Sequence, residues 1–184
     1  STGAITSEPA VHAGGKLTNG ENRMWAYTKG NNIYMKGAGG HGIAITSYED
    51  SGMVCGQTVS RNEFGIEDGM FLSPDGSKLA FYRKDESRVT DFPLLDITTR
   101  TGTLRSIKYP MNGMESEKVS LGVYDKSDGS TVWMDVTDFT EERYLTNVTW
   151  SPDSRRIYIQ VLSRSQKDMH LNAYDSVTGE FLGT

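Results

Sequence analysis

The sequence predicts an all-β protein made of antiparallel hairpins, and two observations support that fold class. Apolar residues alternate with polar or small ones, as at Val119, Leu121 and Val123, which is the period-two pattern of a half-buried strand. Gly, Pro, Asn-Gly and Asp-Gly interrupt nearly every window that is long enough for an amphipathic helix. We therefore expect strands that are joined by tight turns, and no helix.

Repeated units refine this expectation. The segments 25–35, 71–82 and 150–159 each combine an aromatic strand, a polar turn and an apolar strand, and the last two contain Ser-Pro-Asp turns that begin at Ser73 and Ser151. A Tyr-Asp-x-x-x-Gly turn follows each Ser-Pro-Asp copy, at residues 124–129 and 174–179. This suggests four strands in each unit, and four-stranded units that repeat along a sequence are typical of β-propeller blades.

The length of the chain limits the number of blades. Its 184 residues accommodate about three, whereas roughly four to eight blades close a propeller. We therefore expect one partial β-propeller domain over residues 1–184, with an irregular N-terminal segment over about 1–20. The stretch 88–118 contains Pro93 and Pro110 and is too long for a hairpin loop. It predicts an insertion in the second blade.

Composition excludes several classes of function. The net charge is −5, without a basic cluster, so no nucleic acid partner is expected. No apolar run approaches the roughly 20 residues of a membrane span, so none is predicted. The single cysteine, Cys55, excludes an internal disulfide and a cysteine-based metal cage, and is expected to be a buried apolar residue. His12, His41 and His170 lack partners at ligand spacing and are interpreted as surface residues; no metal site or cofactor is predicted.

An ordered set of motifs resembles the N-terminal propeller domain of the dipeptidyl peptidase IV and prolyl tripeptidyl peptidase branch of the prolyl oligopeptidase-type serine peptidases. The resemblance extends over about residues 20–184. Ser-Pro-Asp-Gly alone occurs in many unrelated propellers, but the complete ordered set is more specific. The motifs occupy residues 25–34, 61–65, 71–76, 92–96, 109–113 and 119–125.

The resemblance implies an eight-bladed propeller that covers an α/β-hydrolase domain of the same chain. The implied reaction removes a di- or tripeptide after proline from a peptide with a free N-terminus, and the implied location is periplasmic, cell-surface or secreted. That chemistry needs a Gly-x-Ser-x-Gly elbow, which does not occur in the 184 residues. We therefore expect no catalytic residue here, an absent hydrolase domain, and a non-catalytic propeller fragment of such an enzyme.

In the family, a pair of adjacent glutamates on a blade insertion binds the α-ammonium of the substrate. That pair falls on Arg61-Asn62-Glu63 of this sequence. Glu63 is the predicted anchor, Asn62 is a neutral residue in place of a second acid, and Arg61 completes the predicted substrate-binding segment without matching the family's substrate-binding arginine. This departure leaves dipeptide against tripeptide release open. On composition alone, Glu63, Glu67 and Asp68 are equally typical of a solvated surface loop.

A second class of function also fits the repeats, because stand-alone propeller-like modules with Ser-Pro-Asp-Gly turns bind other proteins. The full reading frame distinguishes the two: a downstream Gly-x-Ser-x-Gly elbow indicates the peptidase, and an early stop codon indicates the module. A partial ring also leaves uncovered blade faces, which favour association. We therefore expect self-association through exposed blade edges.

Overall fold

The computed structural model describes residues 16–17, 25–36, 41–98, 100–139 and 142–184, with the backbone alone at 16–17. The predicted irregular segment 1–20 lies outside these residues, apart from the two in the first strand. The described residues form antiparallel sheets without an α-helix among them. The predicted all-β partial β-propeller is confirmed.

The first blade is a four-stranded antiparallel sheet in the order β1-β2-β3-β4. Its strands are β1 (Lys16–Leu17), β2 (Trp25–Lys29), β3 (Asn32–Lys36) and β4 (Gly42–Ala44). The turn between β2 and β3 lies at Gly30 and Asn31, and Gly30 has a φ of +60°. A residue without Cβ adopts this conformation at low cost, which explains the tight hairpin.

The second blade departs from the expected four strands. Its five strands are β5 (Met53–Cys55), β6 (Met70–Leu72), β7 (Lys78–Asp85), β10 (Lys118–Asp125) and β11 (Thr131–Trp133). β5 and β6 both pair with β7, against residues 83–85 and 79–81. They therefore act as one edge strand that is interrupted by residues 56–69. This loop leaves the sheet and carries the predicted site residues.

The third blade has four antiparallel strands in the order β12-β13-β14-β15. These are β12 (Arg143–Trp150), β13 (Arg156–Ser163), β14 (Met169–Asp175) and β15 (Phe181–Gly183). Hydrogen bonds join this blade to the second one, and two of them come from large aromatic side chains. The Tyr82 hydroxyl donates to the Leu145 carbonyl over 2.7 Å, and the Trp150 indole N–H donates to the Phe71 carbonyl over 3.0 Å.

A separate two-stranded hairpin occupies the segment between β7 and β10. It consists of β8 (Asp91–Asp96) and β9 (Thr103–Lys108). Several of its apolar side chains face outward, including Leu95 at 63% and Leu104 at 77% exposure. The hairpin therefore contributes little to the core of the blade from which it emerges.

The core lies between the blades, and the side chains of β7 contribute to it on both sides. Successive side chains of a strand point to opposite faces, so Leu79 and Phe81 pack toward the first blade, whereas Ala80 and Tyr82 pack toward the third. Both faces are buried because the second blade lies between two neighbours. Cys55 is fully buried in the first interface, as predicted, and burial raises the pKa of its thiol.

His41 is exposed and the His170 side chain is 44% exposed, as predicted for surface residues, whereas His12 lies outside the described residues. His170 also has a partner that the sequence does not reveal. His170 Nδ1 lies 2.6 Å from Asp138 Oδ1, and its ring stacks on Phe139 with 4.8 Å between ring centroids. His170 is therefore partnered, although part of its ring stays accessible. The partner comes from the connection between the second and third blades, 32 residues away, which spacing along a strand does not reveal.

The two Ser-Pro-Asp turns have one geometry. The Ser73 hydroxyl donates to Asp75 over 2.7 Å and accepts the Lys78 N–H over 2.9 Å. The Ser151 hydroxyl bonds Asp153 in the same way and accepts the Arg156 N–H over 2.9 Å. Each serine therefore closes its own hairpin through its side chain.

The Asp75 carboxylate should make the stability of the fold depend on pH. Partial burial acts to raise its pKa, but hydrogen bonds from Ser73, Ser77 and Ser154 outweigh burial and lower the pKa to about 2. The folded pKa is thus below the unfolded value of about 3.9. The stabilisation is present above about pH 4 and is lost as the pH falls toward 2.

Replacing Asp75 with Asn should therefore lower the free energy of unfolding near neutral pH by about 1 kcal/mol, a value reduced for the exposure of this turn. The difference from wild type should shrink as the pH falls from 4 to 2. Urea denaturation at a series of pH values measures this difference. A difference that is equal at pH 2 and pH 6 would show that the carboxylate charge does not stabilise the turn.

Candidate functional site

The loop between β5 and β6 contains a turn with left-handed backbone. Ser60, Arg61, Asn62 and Phe64 have φ values of 50°, 55°, 62° and 58°. L-residues rarely adopt this conformation, and a series of such residues persists only where the surroundings stabilise it. All three predicted substrate-binding residues lie on residues 60–64, and after that prediction we call this segment the substrate turn.

Burial and hydrogen bonds stabilise the substrate turn from several sides. Val59 and Ile66 flank it and are buried between the second and third blades. The Ser60 N–H donates to Glu117 Oε1 over 2.6 Å. The Arg61 guanidinium lies 4.7 Å from the centre of the Tyr109 ring. The contacts thus come from elements that are distant from the turn in sequence.

The third blade supplies a further contact. Phe64 packs on Tyr144 of β12, with 4.6 Å between ring centroids. Tyr144 also accepts a hydrogen bond from Arg164 over 2.5 Å. This aromatic pair therefore holds the end of the turn against the third blade.

A cleft of about 410 Å³ opens beside the substrate turn. Arg61, Asn62 and Glu63 line it together, so the structure brings the three predicted residues into one cavity. All three are exposed. Charged residues from β7, the insertion and the third blade complete the lining: Lys84, Glu86, Lys108, Glu117, Glu142, Arg143 and Arg164.

Most of the basic groups in the cleft already have partners. Lys84 Nζ lies 2.8 Å from Glu86 Oε1, and Arg164 Nε lies 3.5 Å from Glu142 Oε2. The Arg143 guanidinium donates to the carbonyls of the connection before β12. Lys84 and Arg164 are therefore each paired with a carboxylate, whereas Arg143 keeps its charge and has its N–H groups bonded to neutral carbonyls.

Glu86, Glu117 and Glu142 also have partners in the cleft, and Glu63 differs from them. A hydrogen bond from Ser116 lowers the pKa of Glu142, with a further contribution from the charge of Arg164 against the opposing effect of burial. The Glu63 carboxylate has neither a hydrogen bond nor an ion pair with any residue in the described ranges. It is a free acceptor on a cleft in which Lys84 and Arg164 are already paired with carboxylates, so it can bind a positively charged donor.

Sequence reasoning did not identify Glu117, Glu142 or Lys84. Each lies far from residues 61–63 along the chain, and only the packing of blades and insertion brings it to the cleft. Glu67 belongs to the same acidic segment as Glu63, but it does not line the cleft. In the part of the chain that the structure describes, no group of three or more His, Cys, Asp or Glu residues could hold a metal ion. No helix within the described ranges is long and apolar enough to cross a membrane.

Solved structures share this fold. A protein described as a dipeptidyl aminopeptidase IV from Bacteroides ovatus is 41% identical, superposes with a TM-score of 0.79, and matches 94% of this chain and 24% of its own. Porphyromonas gingivalis dipeptidyl peptidase 4 is 24% identical, with a TM-score of 0.73, over 83% of this chain and 22% of its own. The second similarity concerns the fold alone.

The curated relatives of similar sequence are also named dipeptidyl aminopeptidases. Dipeptidyl aminopeptidase B of Saccharomyces cerevisiae is 27% identical over 163 residues, which cover 83% of this chain and 20% of the relative. The chain thus spans about a fifth of the length of the curated relatives that it matches. The family model for the dipeptidyl peptidase IV (DPP IV) N-terminal region matches residues 18–182. The chain therefore belongs to the dipeptidyl peptidase IV N-terminal region family.

Proposed function

We propose that this chain is the non-catalytic propeller region of a proline-specific serine exopeptidase, and that it recognises the free N-terminus of the peptide substrate. The observation that carries the proposal is the Glu63 carboxylate, which is unpaired among the described residues and lies on a stabilised turn at the edge of a cleft. The α/β-hydrolase domain of the same chain would supply the Ser, His and Asp of the reaction. The protein would act in the periplasm, at the cell surface or as a secreted enzyme.

An ammonium group matches the chemistry of the cleft. It carries one positive charge and N–H donors, and charge-assisted hydrogen bonds to a carboxylate are about twice as strong as neutral ones. The Asn62 side-chain oxygen is a second acceptor on the same turn. Because Lys84 and Arg164 are already paired with carboxylates, they would not strongly repel the incoming cation.

The cleft can also count residues from the N-terminus. A bound ammonium places the following peptide bonds at fixed distances from Glu63, so only a bond at one separation reaches the catalytic serine. Access and length selection would therefore be the contribution of the propeller to the reaction. We further propose that open blade edges of this chain self-associate when neighbouring blades are missing.

The titration of the substrate tests this proposal. With an α-amino pKa near 7.7–8.0, KM for an Xaa-Pro substrate should rise about tenfold per pH unit well above pH 8. The measurement uses the protein from the full reading frame, with KM and kcat determined separately between pH 6 and 10. Deprotonation removes the charge that Glu63 binds, so the effect should appear in KM.

A second substrate distinguishes the amine from groups of the enzyme. A substrate whose N-terminal amine has a higher pKa should shift the rise in KM to higher pH by the same amount. A rise that stays at one pH for both substrates belongs to an enzyme group and contradicts the proposal.

A further inference from the structure

Among the contacts that the substrate turn makes outside its own loop, one is a short hydrogen bond to a carboxylate. The Ser60 N–H that opens the turn donates to Glu117 Oε1 over 2.6 Å, across 57 residues of sequence. We propose that the insertion in the second blade orients the substrate turn, with Glu117 as the positioning residue that sets the direction of Glu63. This inference rests on the proposed role of Glu63 in binding the substrate ammonium.

The position of Glu117 follows from the sheet. It directly precedes β10, whose first residue, Lys118, pairs with Asp85 of β7. Glu117 therefore lies where the insertion rejoins the blade. Lys84 of β7 lies beside it, with Nζ 4.0 Å from Glu117 Oε2. One carboxylate oxygen thus accepts the amide of the turn, and the other faces a cation.

Partial burial strengthens this arrangement. The side chains of Lys84, Glu86 and Glu117 are 15%, 16% and 20% exposed. Water screens such charges less than fully exposed ones. A carboxylate that accepts a backbone N–H here forms a charge-assisted bond, which is stronger than a bond between neutral groups.

The contact has a direct consequence for the backbone. Within the turn, the Asn62 N–H donates to the Val59 carbonyl over 3.1 Å, and the Glu63 N–H donates to the Ser60 carbonyl over 3.0 Å. Both bonds follow Ser60 along the chain, and both form because residues 60–62 have left-handed backbone. If the Glu117 contact is lost, Ser60 can return to the right-handed or extended backbone that L-residues prefer, and Glu63 then changes direction.

A second contact from the same insertion supports this role. Tyr109 directly follows the last strand of the β8–β9 hairpin, and its ring lies under the Arg61 guanidinium. Both ends of the inserted segment after β9 therefore contact the substrate turn, while the hairpin itself projects outward. The insertion thus contacts the substrate turn through the segment between β9 and β10, and not through the β8–β9 hairpin.

Two substitutions at one position test the hydrogen bond. Glu117→Ala removes the acceptor, whereas Glu117→Gln keeps an acceptor oxygen without the charge. In the protein from the full reading frame, Glu117→Ala should raise KM for an Xaa-Pro substrate about tenfold, the factor that corresponds to about 1.4 kcal/mol. The kcat should stay within about twofold, because the turn is proposed to bind the substrate and the transition state equally well. Glu117→Gln should recover part of the loss, because a neutral acceptor forms a weaker bond than a carboxylate.

Glu115→Ala is the matched control, because Glu115 lies in the same insertion but is exposed and pairs with Arg88 over 3.2 Å. It should leave KM unchanged. If Glu115→Ala raises KM as much as Glu117→Ala does, or if Gln and Ala at position 117 are equally impaired, the proposed hydrogen bond is not what orients the turn.

Amide hydrogen exchange provides a readout that does not need activity. The Asn62 and Glu63 amides should exchange about tenfold faster in Glu117→Ala than in wild type, because the local opening free energy falls. Unchanged exchange at these amides overturns the inference. If exchange accelerates but Glu63→Gln does not affect KM, the positioning by Glu117 stands and the proposed role of Glu63 fails.

Discussion

Replacing Glu63 with Gln in the protein from the full reading frame is expected to lower kcat/KM for an Xaa-Pro substrate by roughly thirtyfold or more. The substitution keeps the shape of the side chain and removes its charge, so the substrate ammonium loses its compensating partner. Truncating one member of a buried, hydrogen-bonded charge pair costs about 2–5 kcal/mol, and each 1.4 kcal/mol is a factor of ten. Glu63 is exposed in the free protein, so a bound substrate must supply the burial.

Glu67→Gln is the matched control, because Glu67 is exposed, lies four residues further along the same loop and does not line the cleft. It should change the free energy of the transition state by less than about 1 kcal/mol, the range of exposed charge interactions. N-acetylated peptides lack the ammonium, so Glu63→Gln should not impair their residual cleavage further. Wild-type kcat/KM in Glu63→Gln would place the anchor elsewhere.

Replacing Leu121 with Ala is expected to lower the free energy of unfolding by about 2–5 kcal/mol, the usual cost of a cavity at a buried leucine. Leu121 is fully buried on β10 and packs in the core between the second and third blades. A loss of this size is large compared with the total stability of roughly 5–15 kcal/mol of a domain. The midpoint of urea denaturation measures it, with tryptophan fluorescence as the signal.

Leu104→Ala provides the comparison, because Leu104 is also a strand leucine but is 77% exposed on the β8–β9 hairpin. Its substitution should change the free energy of unfolding by no more than about 0.5 kcal/mol. Equal losses for the two leucines would contradict the assignment of the core to the interfaces between blades.

Local chemistry explains why the hairpins are predictable from the sequence. Ser73 and Ser151 each close a turn through bonds to residues two and five positions later, and Gly129 and Gly179 each donate their N–H to an Asp carbonyl four residues earlier. Such bonds depend on a few neighbouring residues, which a sequence displays directly. The split edge of the second blade is not predictable in this way, because β5 and β6 become one edge only through pairing with β7.

The candidate site is predictable only in part, for the same reason. Residues 61–63 follow from a resemblance to a family motif, and they do lie together on one cleft. The contact to Glu117 spans 57 residues, and the one between His170 and Asp138 spans 32 residues. No periodic pattern links positions so far apart, so packing alone identifies these partners.

The interface between the second and third blades has a consequence for synthesis on the ribosome. The Trp150 indole bonds to the Phe71 carbonyl across 79 residues of sequence, whereas each hairpin closes within a few residues. At a translation rate of roughly 5–20 residues per second, the ribosome needs about 4–16 seconds between Phe71 and Trp150. The second blade itself is complete only at Trp133, and until the third blade follows, the face that carries Tyr82 has no third blade to cover it. The nascent chain thus exposes an apolar surface, which general chaperones can bind until the third blade emerges.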